Sequence, residues 1–130
     1  MEIGSLITRS VLTVEEGDSL RDAASWMIER GVSSAVVVGD DGKPAGIVTD
    51  RDTLKVVAQG RDPQSITVKD CLTRKVSLAT ESMDVLEAAR AMREKNFRHL
   101  VVVDAAGQLI GVFSMRDLVV GLLQEMSAHT

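Results

Sequence analysis

The sequence predicts an α/β (α+β) fold of two β-α-β-β-α repeats, related by a pseudo-twofold axis and packed through their sheets. Three observations predict it. The sequence matches itself when it is shifted by 65 positions. Each copy places a helical pattern of apolar residues ahead of two short apolar runs. Turn-forming residues separate these segments at the same places in both copies, so both copies have the same order of elements.

An internal repeat organises the whole chain. With the shift of 65 positions, residues 8–59 align with residues 73–124 without a gap, and 16 of the 52 pairs are identical. One block of identities places Val36-Val37-Val38 over Val101-Val102-Val103. Repetition at a fixed period indicates one supersecondary unit that is present twice. We assign residues 6–60 to the first repeat, residues 61–72 to a linker that leads into the second, and residues 73–126 to the second repeat.

A short extended piece and an amphipathic helix begin each copy. The extended pieces are Val11–Val14 and Val76–Ala79. Apolar residues then recur at helical spacing, at Leu20, Ala23, Ala24, Met27 and Ile28 in the first copy and at Val85, Leu86, Ala88, Ala89 and Met92 in the second. We predict N-caps at Asp18 or Ser19 and near Asp84, and left-handed C-caps at Gly31 and Asn96.

Two apolar runs and a second helix complete each copy. The runs are Ala35–Val38 and Ala45–Val48 in the first copy, and Leu100–Val103 and Leu109–Phe113 in the second. An uninterrupted apolar run is typical of a strand covered on both faces, and we expect the two helices of each copy to supply that cover. The second helix starts at Asp50 in the first copy and at Met115 in the second.

Composition and charge exclude several classes of protein. The chain has 130 residues, 45% hydrophobic and 26% charged, which is typical of a globular domain. A formal net charge of −4 argues against binding to nucleic acid. Its apolar runs are far shorter than the ~20 residues that span a membrane, and no export signal is recognisable, so we expect a cytoplasmic protein with no membrane partner. The single cysteine, Cys71, forms neither an intrachain disulfide nor, by itself, a zinc site.

The segment that closes each copy points to a family. It reads Gly46-Ile47-Val48-Thr49-Asp50-Arg51-Asp52 in the first copy and Gly111-Val112-Phe113-Ser114-Met115-Arg116-Asp117 in the second. Together with the repeated β-α-β-β-α order, it resembles the CBS domain, and the chain from residue 6 to about 126 resembles a stand-alone tandem CBS pair, or Bateman module. The resemblance implies no enzyme activity. It implies a regulatory module that binds AMP, ADP, ATP or a related adenosyl ligand, such as NAD or S-adenosylmethionine, in clefts between the repeats.

The spacing Thr49-x-x-Asp52, and likewise Ser114-x-x-Asp117, has a chemical purpose. The hydroxyl residue ends a strand at the N-cap of the next helix, and the carboxylate lies in the first helical turn. A carboxylate there can accept hydrogen bonds from the two hydroxyls of a ribose, while the helix N-terminus favours phosphate. The resemblance implies these roles. The alternative is a plain capping box that needs no ligand.

The resemblance places further residues at the ligand. Those next to the adenine and phosphate would be Ser33 and Ser34 in the first copy, and Phe97, Arg98 and His99 in the second. Ile47 or Val112 would pack on the purine, and the backbone of Leu12, Ser77 and Leu78 would face the base edge. Arg51 and Arg116 complete the candidate set. The alternatives are a core position for Phe97, a strand-edge position for His99 and a solvated helix charge for either Arg51 or Arg116.

We expect the two sites to differ. Residues 1–65 carry seven basic and eleven acidic side chains, a net charge of −4, whereas residues 66–130 carry eight of each. Asp50 lies beside Asp52, where it repels a phosphate, and the second copy has neutral Met115 at that position with Arg98 and His99 nearby. The sequence therefore predicts that the Asp117 site is the tighter phosphate-binding site.

The sequence also leaves two other functions open and predicts an oligomer. An enzyme is disfavoured because no phosphate-binding loop, nucleophile elbow or metal-ligand cluster is present. A ligand-free interaction or dimerisation module remains the alternative. The last helix is apolar on more than one face, at Leu118, Val119, Leu122 and Leu123, and Trp26 lies ~130° from the predicted core face of its helix. We predict a homodimer through these helices, which regulates an effector protein of unknown identity.

Overall fold

The computed structural model describes residues 1–128 and confirms the predicted fold class. The elements are β1 (Thr13–Val14), α1 (Leu20–Arg30), β2 (Ser34–Val38), β3 (Pro44–Thr49), α2 (Asp50–Ala58), α3 (Val68–Cys71), β4 (Leu78–Ala79), α4 (Val85–Lys95), β5 (His99–Val103), β6 (Leu109–Ser114) and α5 (Met115–Ala128). Short 3₁₀ helices at Ile3–Ser5 and Pro63–Ser65, and helix α3, are additions to the predicted order. The chain divides into two compact units.

The first unit, residues 11–76, is built on a sheet of order β1-β2-β3. Strand β1 is parallel to β2, and β2 is antiparallel to β3, with Ser34 opposite Thr49 and Val36 opposite Ile47. Its buried cluster, the first core, consists of Leu12, Val14, Leu20, Ala23, Met27, Ala35, Val37, Val48, Val56, Ile66 and Val68.

The second unit consists of residues 1–10 and the chain from residue 77 onwards. Its sheet has the order β4-β5-β6 and the same strand directions, with His99 opposite Ser114 and Val101 opposite Val112. Its buried cluster, the second core, consists of Ile3, Ala79, Val85, Ala88, Met92, Leu100, Val102, Phe113 and Leu118.

The predicted helix ends are confirmed. The Ser19 side chain accepts a hydrogen bond from the Asp22 amide at 3.0 Å and so caps α1. Gly31 ends α1 with a φ of 64°, and Asn96 ends α4 with a φ of 56°. Both residues take the left-handed conformation that turns the chain out of a helix and into the next strand.

In each unit, the third strand of the sheet pairs with a segment from a distant part of the sequence. In the first unit, Thr73 and Ile47 exchange two backbone hydrogen bonds of 2.9 Å. In the second unit, Thr8 and Val112 exchange two of 3.0 Å. Residues 66–76 therefore pack with the first repeat, and residues 1–10 pack with the second repeat.

Glycine permits this close approach. A Cβ atom on Gly46 would lie 2.7 Å from the carbonyl oxygen of Thr73. A Cβ atom on Gly111 would lie 2.7 Å from the carbonyl oxygen of Thr8. The glycine in each closing segment is thus explained by the backbone that crosses it.

The expectation that helices cover both faces of each sheet is corrected. Ala35 and Val37 share one face of β2 because a strand alternates its side chains, and both belong to the same core as the buried residues of α1 and α2. The helices therefore cover one face of the sheet rather than both. Val36 and Ile47 lie on the opposite face and are also buried.

The predicted orientation of helix α1 is also corrected. Ile28, predicted to face the core, is 84% exposed, whereas Trp26 is half-buried and packs against the first core. The buried residues of α1 centre on a direction that lies about 90° from Trp26 and about 110° from Ile28. Both positions lie beside the buried face of the helix, and the longer side chain of Trp26 contacts the core whereas the shorter one of Ile28 does not.

Candidate functional site

In the first repeat, the end of β3 and the start of α2 bring the predicted polar residues together. Ser34 lies opposite Thr49 on the neighbouring strand, and the Asp50 amide donates to the Ser33 carbonyl at 3.0 Å. Ser33 is exposed, while Ser34 is buried and Thr49 is half-buried. The chain therefore turns from sheet to helix beside the beginning of β2.

The carboxylate of Asp52 turns back onto Thr49. Its Oδ2 accepts hydrogen bonds from the Thr49 amide at 2.7 Å and from the Thr49 hydroxyl at 3.3 Å. The two residues form a capping box at the N-terminus of α2. Within residues 1–128, Oδ1 accepts no hydrogen bond. One oxygen of this half-buried carboxylate therefore caps the helix, and the other has no hydrogen-bond partner among residues 1–128.

The second repeat reproduces this arrangement. Oδ2 of Asp117 accepts from the Ser114 amide at 2.8 Å and the Ser114 hydroxyl at 3.0 Å, and the Asp117 amide donates to the same hydroxyl oxygen at 3.3 Å. The Met115 amide donates to the Arg98 carbonyl at 3.0 Å, and His99 lies opposite Ser114. Arg98 and His99 are thereby held beside the start of α5.

A third capping box has the same spacing at a different place in the fold. Thr67 donates its hydroxyl to Oδ2 of Asp70 at 3.0 Å at the start of the short helix α3. Asp70 is exposed, and no strand precedes its box. All three pairs therefore form capping hydrogen bonds, and only the boxes of Asp52 and Asp117 also lie at the junction of a sheet and a long helix.

The apolar candidates lie on two different faces. Ile47 and Val112 are buried and belong to neither core, because they lie on the sheet face away from the helices. Phe97 is half-buried and is absent from the residues that pack against the second core, although Val32, its counterpart, packs against the first. The alternative that placed Phe97 in the core is thus not supported.

The backbone of Leu12 and Ser77 is already in use. The Leu12 carbonyl accepts from the Val36 amide at 2.9 Å, and the Ser77 carbonyl accepts from the Val101 amide at 2.9 Å. These carbonyls offer a ligand at most a second lone pair, and the Leu12 side chain is part of the first core. Leu78 is 54% exposed on β4.

The charge argument for unequal sites is corrected in part. Residues 11–76 carry nine basic and eleven acidic side chains, and the remainder carries six and eight, so each compact unit has a net charge of −2. The two net charges become equal because the segment 66–76, which has more basic than acidic side chains, belongs to the first unit. The local difference persists, because exposed Asp50 follows Thr49 whereas Met115 follows Ser114. Arg51 and Arg116 are both exposed.

Sequence reasoning missed one side chain near Asp52. Burial raises the pKa of the Cys71 thiol to about 11, and the negative charges of Asp52 and then Asp70 act in the same direction. Cys71 lies on α3, where its Sγ donates to the Thr67 carbonyl at 3.7 Å. No local pattern signals this proximity, because it arises from the packing of the linker onto the first repeat.

Comparison with known proteins identifies the fold. The sequence profile of the CBS domain matches residues 3–59 and 68–123. The chain belongs to the CBS domain family. Two matched copies make it a tandem CBS pair, as predicted. Across residues 1–128, no helix has the length and apolar character needed to cross a bilayer.

Relatives of this CBS pair differ widely in length. An uncharacterised protein of Methanopyrus kandleri is 35% identical over 119 residues, which are 91% of this chain and 61% of that protein. The chain spans only 22% of the inosine-5'-monophosphate dehydrogenase of Thermoplasma acidophilum, to which it is 31% identical. Some relatives are thus enzymes in which the matching segment is a small part.

Two solved CBS proteins share the whole fold and contain ligands. CBS domain protein PAE2072 of Pyrobaculum aerophilum, solved with AMP, is 30% identical with a TM-score of 0.86, covering 98% of this chain and 99% of that one. The CBS domain pair of protein MJ0100, solved with 5-methylthioadenosine and S-adenosyl-L-methionine, is 25% identical with a TM-score of 0.84, covering 92% and 97%.

Proposed function

We propose that this CBS pair is a regulatory module that binds an adenine nucleotide, with Asp52 and Asp117 as the ribose-binding carboxylates. The observation that supports this most directly is the hydrogen bonding of these two carboxylates. Each is oriented by a cap through Oδ2 and retains an oxygen without a partner among the described residues. A fixed carboxylate with a free oxygen suits the two hydroxyls of a ribose.

AMP is the ligand that the relatives favour, and other adenosyl ligands come next. The AMP-bound Pyrobaculum aerophilum protein matches this chain over nearly its full length. The ligands of protein MJ0100 share the adenosyl group and lack a phosphate. ADP, ATP and NAD stay within the proposal because they contain the same adenosine. We assign the phosphate to the second repeat, where Arg98 and His99 adjoin Ser114 and no carboxylate follows it.

Calorimetric titration tests the function. We expect AMP to bind with a saturable heat, and Asp117→Ala to lose more of the binding than Asp52→Ala. Mass spectrometry of ligand retained on the purified protein identifies the physiological species. The absence of heat and of any thermal shift with AMP, ADP, ATP, NAD, 5-methylthioadenosine and S-adenosylmethionine would favour the ligand-free interaction module instead.

We also propose that the chain forms a homodimer through its helices. On α5, Val119 is 50% exposed, Leu123 58% and Met126 66%, and these side chains share a stripe about 100° from the buried Leu118. Such an apolar stripe favours burial against a second copy. Leu118 and Trp26 leave the predicted interface because they pack in the second and first cores, and half-buried Leu122 packs against the second core.

Light scattering on the eluting protein measures its molar mass and so tests the dimer. We expect a mass near twice 14.0 kDa at tens of micromolar, and dissociation by Leu123→Asp. Ile28→Asp, at an equally apolar and more exposed position on α1, is the matched control and should leave the dimer intact. A wild-type mass of one chain contradicts the dimer.

A further inference from the structure

A groove runs along the free edge of the first sheet, away from the carboxylate caps. It has a volume of about 420 Å³, and its walls include Thr13 and Glu15 from the β1 region and Trp26 and Glu29 from α1. A second groove, of about 590 Å³, shares Glu15 with it. Leu12, whose backbone is a candidate for the base edge, lines the first groove, but neither groove contains Thr49 or Asp52, the polar residues of the proposed nucleotide site in this repeat.

The edge strand offers unpaired main-chain groups to this groove. In the parallel ladder, Val36 donates to the Leu12 carbonyl at 2.9 Å, and Thr13 is the residue opposite Val36. The amide and carbonyl of Thr13 therefore point away from β2. Strand β1 is at the edge of its sheet, and no described residue bonds to these two groups. An exposed edge of this kind can accept an additional extended strand.

The side chains of the groove favour a cation. Glu15 and Glu29 are exposed, and neither has an ion pair or a side-chain hydrogen bond within residues 1–128. Asp18 also lines the groove, and Arg30 is the one basic residue in its lining. The half-buried indole of Trp26 presents an aromatic surface beside these carboxylates. A guanidinium or ammonium group over an indole gains a cation–π contact as well as the ion pair.

The second repeat shows that the fold does not require these side chains. Under the shift of 65 positions, Glu29 is retained as Glu94, whereas Glu15 becomes Thr80, Asp18 becomes Met83 and Trp26 becomes Ala91. The second repeat nevertheless forms the same three-stranded sheet and an equally long helix. The combination of Trp26 with Glu15 and Asp18 is thus specific to the first repeat.

We propose that this groove binds an extended, basic segment of a protein partner. The segment pairs its main chain with Thr13 at the edge of β1, and an Arg or Lys side chain lies over Trp26 between Glu15 and Glu29. This surface includes neither carboxylate cap, and it gives the module a place to contact the protein it regulates.

The test uses the full chain and an acetylated, amidated peptide, Thr-Val-Arg-Val-Lys. Trp26 is the only tryptophan of the chain, so its emission reports the groove directly. We expect a saturable change in emission below about 1 mM peptide, weakened by added salt, together with a shift of the Thr13 amide signal in a ¹⁵N–¹H spectrum. No saturation, or saturation without a shift at Thr13, overturns the proposal.

Control peptides and variants separate the two recognition elements. A peptide with Glu at both basic positions, and one with N-methylated valines, should each bind at least about fivefold more weakly. Glu15→Thr with Glu29→Gln should weaken binding by a similar factor while Trp26 still reports it. Glu94→Gln, on the other repeat, should have no effect. Equal binding by the acidic peptide, or by the Glu15→Thr, Glu29→Gln variant, contradicts the proposal.

Discussion

Asp117 accepts two hydrogen bonds from Ser114 on one carboxylate oxygen, from the amide at 2.8 Å and from the hydroxyl at 3.0 Å. A substitution at Asp117 therefore removes a helix cap and, under the proposed function, a ribose contact. The two losses can be separated because Asp70 caps α3 through Thr67 by the same chemistry at a different place in the fold.

We expect Asp117→Ala to lower the free energy of unfolding by about 0.5–2 kcal/mol through the lost cap. In the wild type, AMP at about 100 times its dissociation constant adds ~2.7 kcal/mol, which raises the melting temperature by several degrees. Asp117→Ala should lose most of that increase, and Asp52→Ala less of it. Differential scanning fluorimetry with and without AMP measures both quantities.

Asp70→Ala is the control for the lost cap. It should reduce stability without reducing the AMP-induced shift. If Asp52→Ala and Asp117→Ala each keep the full shift, the carboxylates act only as caps and the assignment to ribose is wrong.

Arg98→Ala tests the phosphate assignment. Arg98 is exposed beside the start of α5. Under the proposed function its guanidinium pairs with the phosphate and not with the base. We expect the variant to weaken ATP more than adenosine in calorimetric titrations. Arg93→Ala removes an exposed charge from α4 and should leave the ratio of the two affinities unchanged. Equal losses for ATP and adenosine with Arg98→Ala would show that Arg98 supports the fold instead.

Gly111→Ala tests why the closing segment contains glycine. Its Cβ atom would lie 2.7 Å from the Thr8 carbonyl and 2.8 Å from the Ile7 side chain, so the backbone pair of Thr8 and Val112 must separate. We expect a loss of about 1–3 kcal/mol in urea unfolding. Gly17→Ala meets no atom within 4 Å and should be neutral or slightly stabilising. A Gly111→Ala variant as stable as Gly17→Ala would refute the close approach.

The pKa of the Cys71 thiol, and hence its reactivity, depends on burial and on the charge of Asp52. Because burial raises its pKa to about 11, little thiolate exists at pH 8, and we expect disulfide exchange to be at least about tenfold slower than in the urea-unfolded chain. The rate should continue to rise towards pH 11. The free energy of unfolding should fall over the same range above pH 9.0, since the unfolded chain loses a proton that the folded chain keeps.

Substitution at Asp52 extends this prediction. Asp52→Asn removes one of the charges that raise the pKa of Cys71, so the thiol should react faster at pH 8. Asp22→Asn, on α1, should not change the rate. An unchanged rate in Asp52→Asn would mean that burial accounts for the whole shift.

The order of elements followed from the sequence because each element has a local physical signal. Ser19 and Gly31 delimit α1 by capping chemistry that depends on neighbouring backbone groups alone. The valine runs of β2 and β5 and the hydroxyl–carboxylate spacing of Thr49 and Asp52 are equally local. The family and the positions of both caps could therefore be predicted without coordinates.

Only the tertiary structure decided which distant segments complete each unit and which candidate side chains pack in or against a core. Residues 66–76 pack with the first repeat, and no periodicity within them records this, because the decisive contacts are backbone pairs with a strand more than twenty positions earlier. Trp26 and Ile28 exchanged their expected environments because both flank the buried stripe, where side-chain length determines which one reaches the core. Residue spacing specifies the direction of a side chain on its own element, whereas burial depends on what the rest of the chain places there.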